Sequence, residues 1–172
     1  HRGGVLTQGA MLSLTSNVAS LTTTYNNMVI RNGNDAPEAQ IEALMQLCLR
    51  PGEVGFRADS ARFVVLFTDA PFHVAGDGAA AGITTPTNGD AIMDGTPAGT
   101  GEDYPMVAQV KAALEAANVI PIFAIAGGYE STYQGLVTEL GRGTVVTLTS
   151  NSSHVVAAVT AGLTAATVTE IE

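Results

Sequence analysis

The segment FVVLFTDA, residues 63–70, sets a run of apolar, largely β-branched and aromatic side chains against an abrupt polar stop. Five consecutive apolar residues with no alternation fit a strand covered on both faces, as in a parallel sheet. Thr68 and Asp69 then stand at its carboxyl end, the position beyond which open α/β sheets bind their ligands.

Toward the C-terminus the same kind of strand recurs at Val119 to Ile125 and at TVVTL, residues 144–148. Helical patterns fill the intervals. DYP opens one, with Asp103 near the cap, Pro105 in the first turn and Val107, Val110, Leu114 and Ala117 as its buried stripe. A second runs around Ser131 to Leu140, and a third from about Ser152 to Ala165. Toward the N-terminus, Ile41, Leu44, Met45 and Cys48 repeat at i, i+3, i+4, i+7 on one helical face, which Arg50-Pro51-Gly52 ends. Residues 3–14 have extended character and predict a short strand. Thr15-Ser16-Asn17 offers caps for a helix spaced as Val18, Leu21, Tyr25 and Met28. Repeated β–α alternation predicts an α/β fold of three layers, a doubly wound, Rossmann-like parallel sheet flanked by helices. Residues 1–165 are expected to form one domain, and residues 166–172, ATVTEIE, the start of a following strand or linker.

Composition narrows the function. The chain has 172 residues, 46% hydrophobic and 13% charged, with a formal net charge of −9. Its seven Lys plus Arg form no basic stripe to neutralise phosphates, so nucleic acid is not an expected partner, whereas cations suit the surface. No apolar run reaches membrane-spanning length. A single cysteine, Cys48, excludes an intrachain disulfide and a cysteine metal cluster, and reads as buried filler. A first residue that is not Met suggests a processed or excised piece of a longer chain.

The acidic residues pose two alternatives. In GNDAPEAQ, residues 33–40, Asp35 and Glu38 have the Asp-x-x-Glu spacing of a capping box, although the residue before proline resists helical geometry and makes Ala36 the more natural cap. If that loop shares a rim with Asp69, three carboxylates and the Thr68 hydroxyl converge. Such an all-oxygen set suits Mg2+ or Ca2+ rather than zinc. Asp77, Asp90, Asp94 and Asp103 follow no calcium-loop spacing and read as solvated loop within the long segment from Ala70 to Asp103. His73 has no nucleophile or second histidine at a recognisable spacing and reads as a hydrogen-bonded loop histidine. Gly127-Gly128 reads as a turn, Asn151 to Ser153 as caps of the last helix, and His154 as a surface residue of that helix.

DAPE with its apolar helix, TDAPFHVAGDG, DYPMVAQVKAALEAANVIPIFAI and SNSSHV stand in an order that resembles the metal-dependent ligand-binding domain of integrin β subunits, a von Willebrand factor A-type domain. The resemblance runs from about Leu14 to Leu163. It implies that Glu38 and Asp69 help build a metal-ion-dependent adhesion site, and that Asp35, the Pro37 carbonyl and Asn34 or Asn32 belong to a neighbouring second Ca2+ site, although the family spacing puts Gly33 at the asparagine. A third adjacent site would take a carbonyl from the loop before the last helix, here Ser150.

The family's DxSxS motif is absent from these residues, and the resemblance begins only at its third strand or second helix. The first strands of the sheet are therefore expected from an upstream segment or a partner chain. Low charge, no cysteine in the long loop and Thr/Ala/Gly-rich composition suggest a bacterial surface or secreted relative. The implied function is an extracellular, non-enzymatic adhesion or protein-binding module, whose cation captures an acidic group of a protein ligand. The alternative is a structural subunit of a surface layer, filament or sheath with a degenerate metal site.

Overall fold

The computed structural model describes residues 12–28, 35–92, 101–149 and 155–169. Three parallel strands, β1 (Arg62–Thr68), β2 (Val119–Ile125) and β3 (Thr144–Thr147), form a sheet in the order β1-β2-β3. Arg62 lies opposite Val119, and Ile122 opposite Thr144. Helices α4 (Val107–Ala117) and α5 (Glu130–Leu140) follow β1 and β2 in the chain, and α6 (Val155–Thr169) follows β3. The three apolar runs thus become the three strands, in the parallel α/β arrangement that their lack of alternation predicts.

One face of the sheet carries the main core. Val119, Phe123 and Ile125 of β2 pack with Ile41, Leu44 and Met45 of α2 (Gln40–Leu49), Val110 and Leu114 of α4, and Tyr133, Leu136 and Leu140 of α5. Val64 and Leu66 of β1 join from the side. Side chains alternate across a strand, so Ile120, Ile122 and Ala124 belong to the opposite face. There α6 covers β2 and β3. All seven residues of β2 are buried, whereas β1 is only half-buried and its Phe67 is 51% exposed. Full burial of a side chain such as Leu114 contributes about 1.5–3 kcal/mol, so the centre of the sheet is its most strongly held part. Burial also pushes the Cys48 thiol up to about 11, which keeps it protonated and unreactive at neutral pH.

Several boundaries differ from expectation. Leu12 to Leu14 form no strand, and the remainder of the expected strand at 3–14 lies outside the described residues. The amide of Leu14 instead donates to the Val54 carbonyl at 2.8 Å, at the end of the short helix α3 (Pro51–Val54). Helix α1 (Val18–Asn26) forms, capped by Asn17, which accepts from the Ser20 amide at 3.1 Å. Its apolar stripe is not buried: Val18, Leu21 and Tyr25, and Met28 just beyond, are all exposed. Helix α4 starts after Met106 rather than at Pro105, because the Pro105 carbonyl accepts from Ala75 and the Gln109 side chain accepts from the Met106 amide. At the other end α6 continues to Thr169, so residues 166–169 form its last turn instead of opening a strand. Ala and Thr there bring no glycine or proline to stop a helix. A 3-10 turn at Asp77–Ala81 interrupts the long loop, whose Asp94 lies outside the described residues.

Gly162 fixes how closely α6 approaches the sheet. A Cβ there would lie 2.5 Å from Cγ2 of Ile122, a stiff branch of a fully buried side chain. Gly162→Ala is therefore expected to lower unfolding free energy by about 1–3 kcal/mol in urea titrations, despite alanine's better helix propensity.

Candidate functional site

The DAPE turn and the end of β1 meet through backbone. The Glu38 amide donates to the Pro71 carbonyl at 2.9 Å, and the His73 amide donates to the Glu38 carbonyl at 2.9 Å, an isolated parallel bridge between Glu38 and Phe72. This pairing holds Glu38 extended. Helix α2 consequently begins only at Gln40, with Ala39 as a cap that makes no side-chain hydrogen bond. Neither Asp35 nor Glu38 caps the helix, and the expected cap at Ala36 is displaced by three residues.

Gln40 completes the junction. Its Nε2 donates to the Thr68 hydroxyl at 2.8 Å and lies within 3.4 Å of the Ala70 and 3.3 Å of the Pro71 carbonyls. The Tyr133 hydroxyl donates to the same Ala70 carbonyl at 2.9 Å, while its ring packs against Phe72 and Phe123. Thr68 Oγ1 also accepts from the Ala70 amide at 3.1 Å and contacts the Ala70 carbonyl at 3.4 Å. With two donors on it, the Thr68 oxygen has both lone pairs engaged and holds the turn. Asp69, between these locked neighbours, is exposed. Gly127 passes directly behind it: a Cβ there would lie 3.2 Å from the Asp69 carbonyl, at a φ of +78°.

On the other side of the turn lies a polar hub. His73 is 5% exposed, its Nδ1 3.0 Å from Asp77 Oδ2 and its Nε2 3.5 Å from Asp35 Oδ2. Its ring stacks on Tyr104 with centroids 4.2 Å apart. Burial raises the Asp77 carboxyl, but the Val74 amide and His73 outweigh it and leave the group below its ordinary value. Tyr104 is pushed up to about 12, first by burial and then by the negative charges of Asp35, Asp77, Glu102 and Glu38. The buried Glu102 carboxylate anchors the loop, accepting from the Gly76 amide at 2.7 Å and the Gly78 amide at 2.6 Å.

The Glu38–Phe72 bridge sets the turn that carries Asp35, Pro37 and Glu38 beside the segment that follows Thr68 and Asp69, while Asn34 and Ser150 lie outside the described residues. Glu38 and Asp69 offer an all-oxygen donor chemistry that fits a hard divalent cation, and the Oε1 of Gln40, whose Nε2 lies at the end of β1, is buried with no hydrogen-bond partner. Among the described residues no three acidic, histidine or cysteine side chains converge closely enough to hold a metal ion by themselves. The hub histidine was legible only as a loop residue; its spacing of four from Asp77 was the available signal. Gln40, Glu102 and Tyr133 stand out in no motif, and DYP marks Tyr104 only as the approach to a helix, because their roles arise from tertiary contacts.

A family model for the integrin beta chain VWA domain matches residues 8–167. The chain belongs to the integrin β-chain VWA domain family. Integrin beta-7 of Mus musculus is 35% identical over 149 residues, which is 85% of this chain and 18% of that protein. Integrin beta-2 of Sus scrofa is 35% identical over 147 residues, 84% of this chain and 19% of that protein. Integrin beta-PS of Drosophila melanogaster is 31% identical over 150 residues, with 84% and 18% covered. This VWA-family chain thus spans less than a fifth of the length of these relatives. Among its described residues no helix is long and apolar enough to cross a membrane.

His73 ties the DAPE turn, the loop after β1 and the segment before α4 of this VWA domain together. Removing it in His73→Ala is expected to cost about 2–3 kcal/mol, since Asp35 and Asp77 lose a buried partner and Tyr104 its stack. Limited proteolysis around residues 35–38, compared with wild type, checks that the loosening is local to the turn.

Proposed function

We propose that this chain is the ligand-facing part of an extracellular or cell-surface adhesion module, with residues 1–165 as its VWA unit. Glu38 and Asp69 hold a divalent cation, Mg2+ or Ca2+, which when bound supplies a positive centre for an acidic group of a protein ligand. The observation that carries this reading is the Glu38–Phe72 bridge, which sets the DAPE turn against the carboxyl end of β1. Asp35 and the Pro37 carbonyl, with Asn34, serve a neighbouring Ca2+, and Ser150 contributes a carbonyl to an adjacent site. Two carboxylates on one rim repel each other without a cation.

The remaining oxygens come from a segment upstream or from a partner chain that also adds the strand beside β1. Two observations support that completion. β1 pairs with β2 alone among the described residues, and its Phe67, opposite Ala124 on the face where α6 covers β2 and β3, is half open to water. Thr68, Gln40 and Tyr133 do not bind ligand in this reading; they hold Asp69 in position. No activity beyond binding is proposed.

Isothermal titration with Mg2+ and with Ca2+, followed by binding to acidic peptides with and without chelator, tests the assignment on the protein in its native chain context. Asp69→Ala is expected to weaken cation affinity by at least about a hundredfold, comparable to or beyond the loss of an outer-shell partner. Cation binding unchanged in Asp69→Ala, or peptide binding indifferent to chelator, overturns the reading in favour of a scaffold.

A further inference from the structure

Helix α2 leads from the candidate site to a second polar cluster that the binding function does not use. Glu42, Gln46 and Arg50 stand at i, i+4 and i+8, one stripe of a helix whose other inward residues are apolar. Glu42 is 2% exposed and Gln46 5%. Gln46 Nε2 donates to Glu42 Oε1 at 2.7 Å and to the Asp90 carbonyl at 2.9 Å. Gln46 Oε1 accepts from Arg50 Nε at 3.1 Å, and the Arg50 guanidinium also donates to the Ala91 carbonyl. The stripe therefore fastens the far part of the long loop to α2 through two consecutive backbone carbonyls.

We propose that Glu42, Gln46 and Arg50 form a proton-controlled latch, closed on the Asp90–Ala91 segment when Glu42 is protonated and loosened when Glu42 ionises. Glu42 Oε2 is buried with no hydrogen-bond partner, so an ionised carboxylate would leave an unsolvated, unpaired charge there, whereas a protonated one does not. Among the described residues, the charged groups facing Glu42 are Asp103 from the approach to α4, Arg50 from its own helix and Asp90 from the latched loop. Helix α4 meets α2 through apolar Val110, Ala113 and Leu114, and its Lys111 reaches instead toward Gly141. Two carboxylates oppose one guanidinium. Burial first, and then Asp103 and Asp90, raise the Glu42 carboxyl from 4.5 to about 7 despite the Gln46 hydrogen bond.

The sign follows from the raised value. Between 4.5 and about 7 the folded protein keeps a proton that the unfolded chain has lost, so stability contributed at this locus falls as pH rises across that window. Above about 7 Glu42 is ionised in both states and the penalty is complete. Moving the Asp90 segment outward separates the Asp90 charge from that of an ionised Glu42. The latch involves no cation and is separate from the proposed binding function.

Hydrogen exchange of amides in residues 84–92, corrected for intrinsic rates and compared at about pH 5.5 and about pH 8, reads the latch. Wild type is expected to lose protection there by at least about tenfold at the higher pH, with β2 amides unchanged. Glu42→Gln keeps an acceptor for Gln46 but cannot ionise, and should hold the segment equally at both pH values. Equal wild-type protection at both, a pH effect that persists in Glu42→Gln, or an equal loss in β2 would overturn the latch. Carbon NMR titration of the Glu42 carboxyl in wild type is an independent arm: a midpoint at the ordinary glutamate value would overturn it as well.

Discussion

The backbone of Glu38 pairs with the chain on both sides of Phe72, and the rest of the rim depends on that exchange of two hydrogen bonds. It spends amide and carbonyl groups that a helix would otherwise use, so α2 is forced to begin later, at Gln40. The delayed start brings Gln40 within reach of Thr68, Ala70 and Pro71 at the end of β1. A helix beginning at Pro37 would turn that amide elsewhere. One short stretch of extended backbone thus sets the helix phase, the strand-end turn and the common rim of two acidic residues.

Behind the rim, support is shared between the apolar core and a polar shell. Tyr133 belongs to both, its ring among Phe72 and Phe123 and its hydroxyl on Ala70. On the outer side His73 and Glu102 tether the loop after β1 to the segment before α4. Groups that must remain in water, such as Asp69, are thereby carried on residues that cannot move freely. Such supporting contacts matter because a binding group held loosely loses affinity to the entropy of ordering it.

Much of this fold is legible in the chain. FVVLF, Val119 to Ile125 and TVVTL read as strands because apolar runs of that length need two covered faces, and all three form. Helix α1 is legible as a helix through its spacing and the Asn17 cap, yet spacing does not say whether a face finds a partner. Its stripe stays open to water. The start of α2 was beyond local reading for a different reason: a bridge across more than thirty residues overrode the Asp-x-x-Glu pattern. For the site, the acidic residues carry a motif, whereas Gln40, Tyr104, Glu102 and Tyr133 acquire their roles from neighbours distant in sequence.

The aromatic supports have an optical consequence. The chain has four tyrosines and no tryptophan, so its ultraviolet emission comes from tyrosine alone. Tyr133 is bonded to the carbonyl that follows Asp69, and Tyr104 is stacked on the hub histidine, whereas Tyr25 is exposed. Half of the tyrosines therefore report directly on the strand end and its loop, and the protein carries its own probe of the rim without any label.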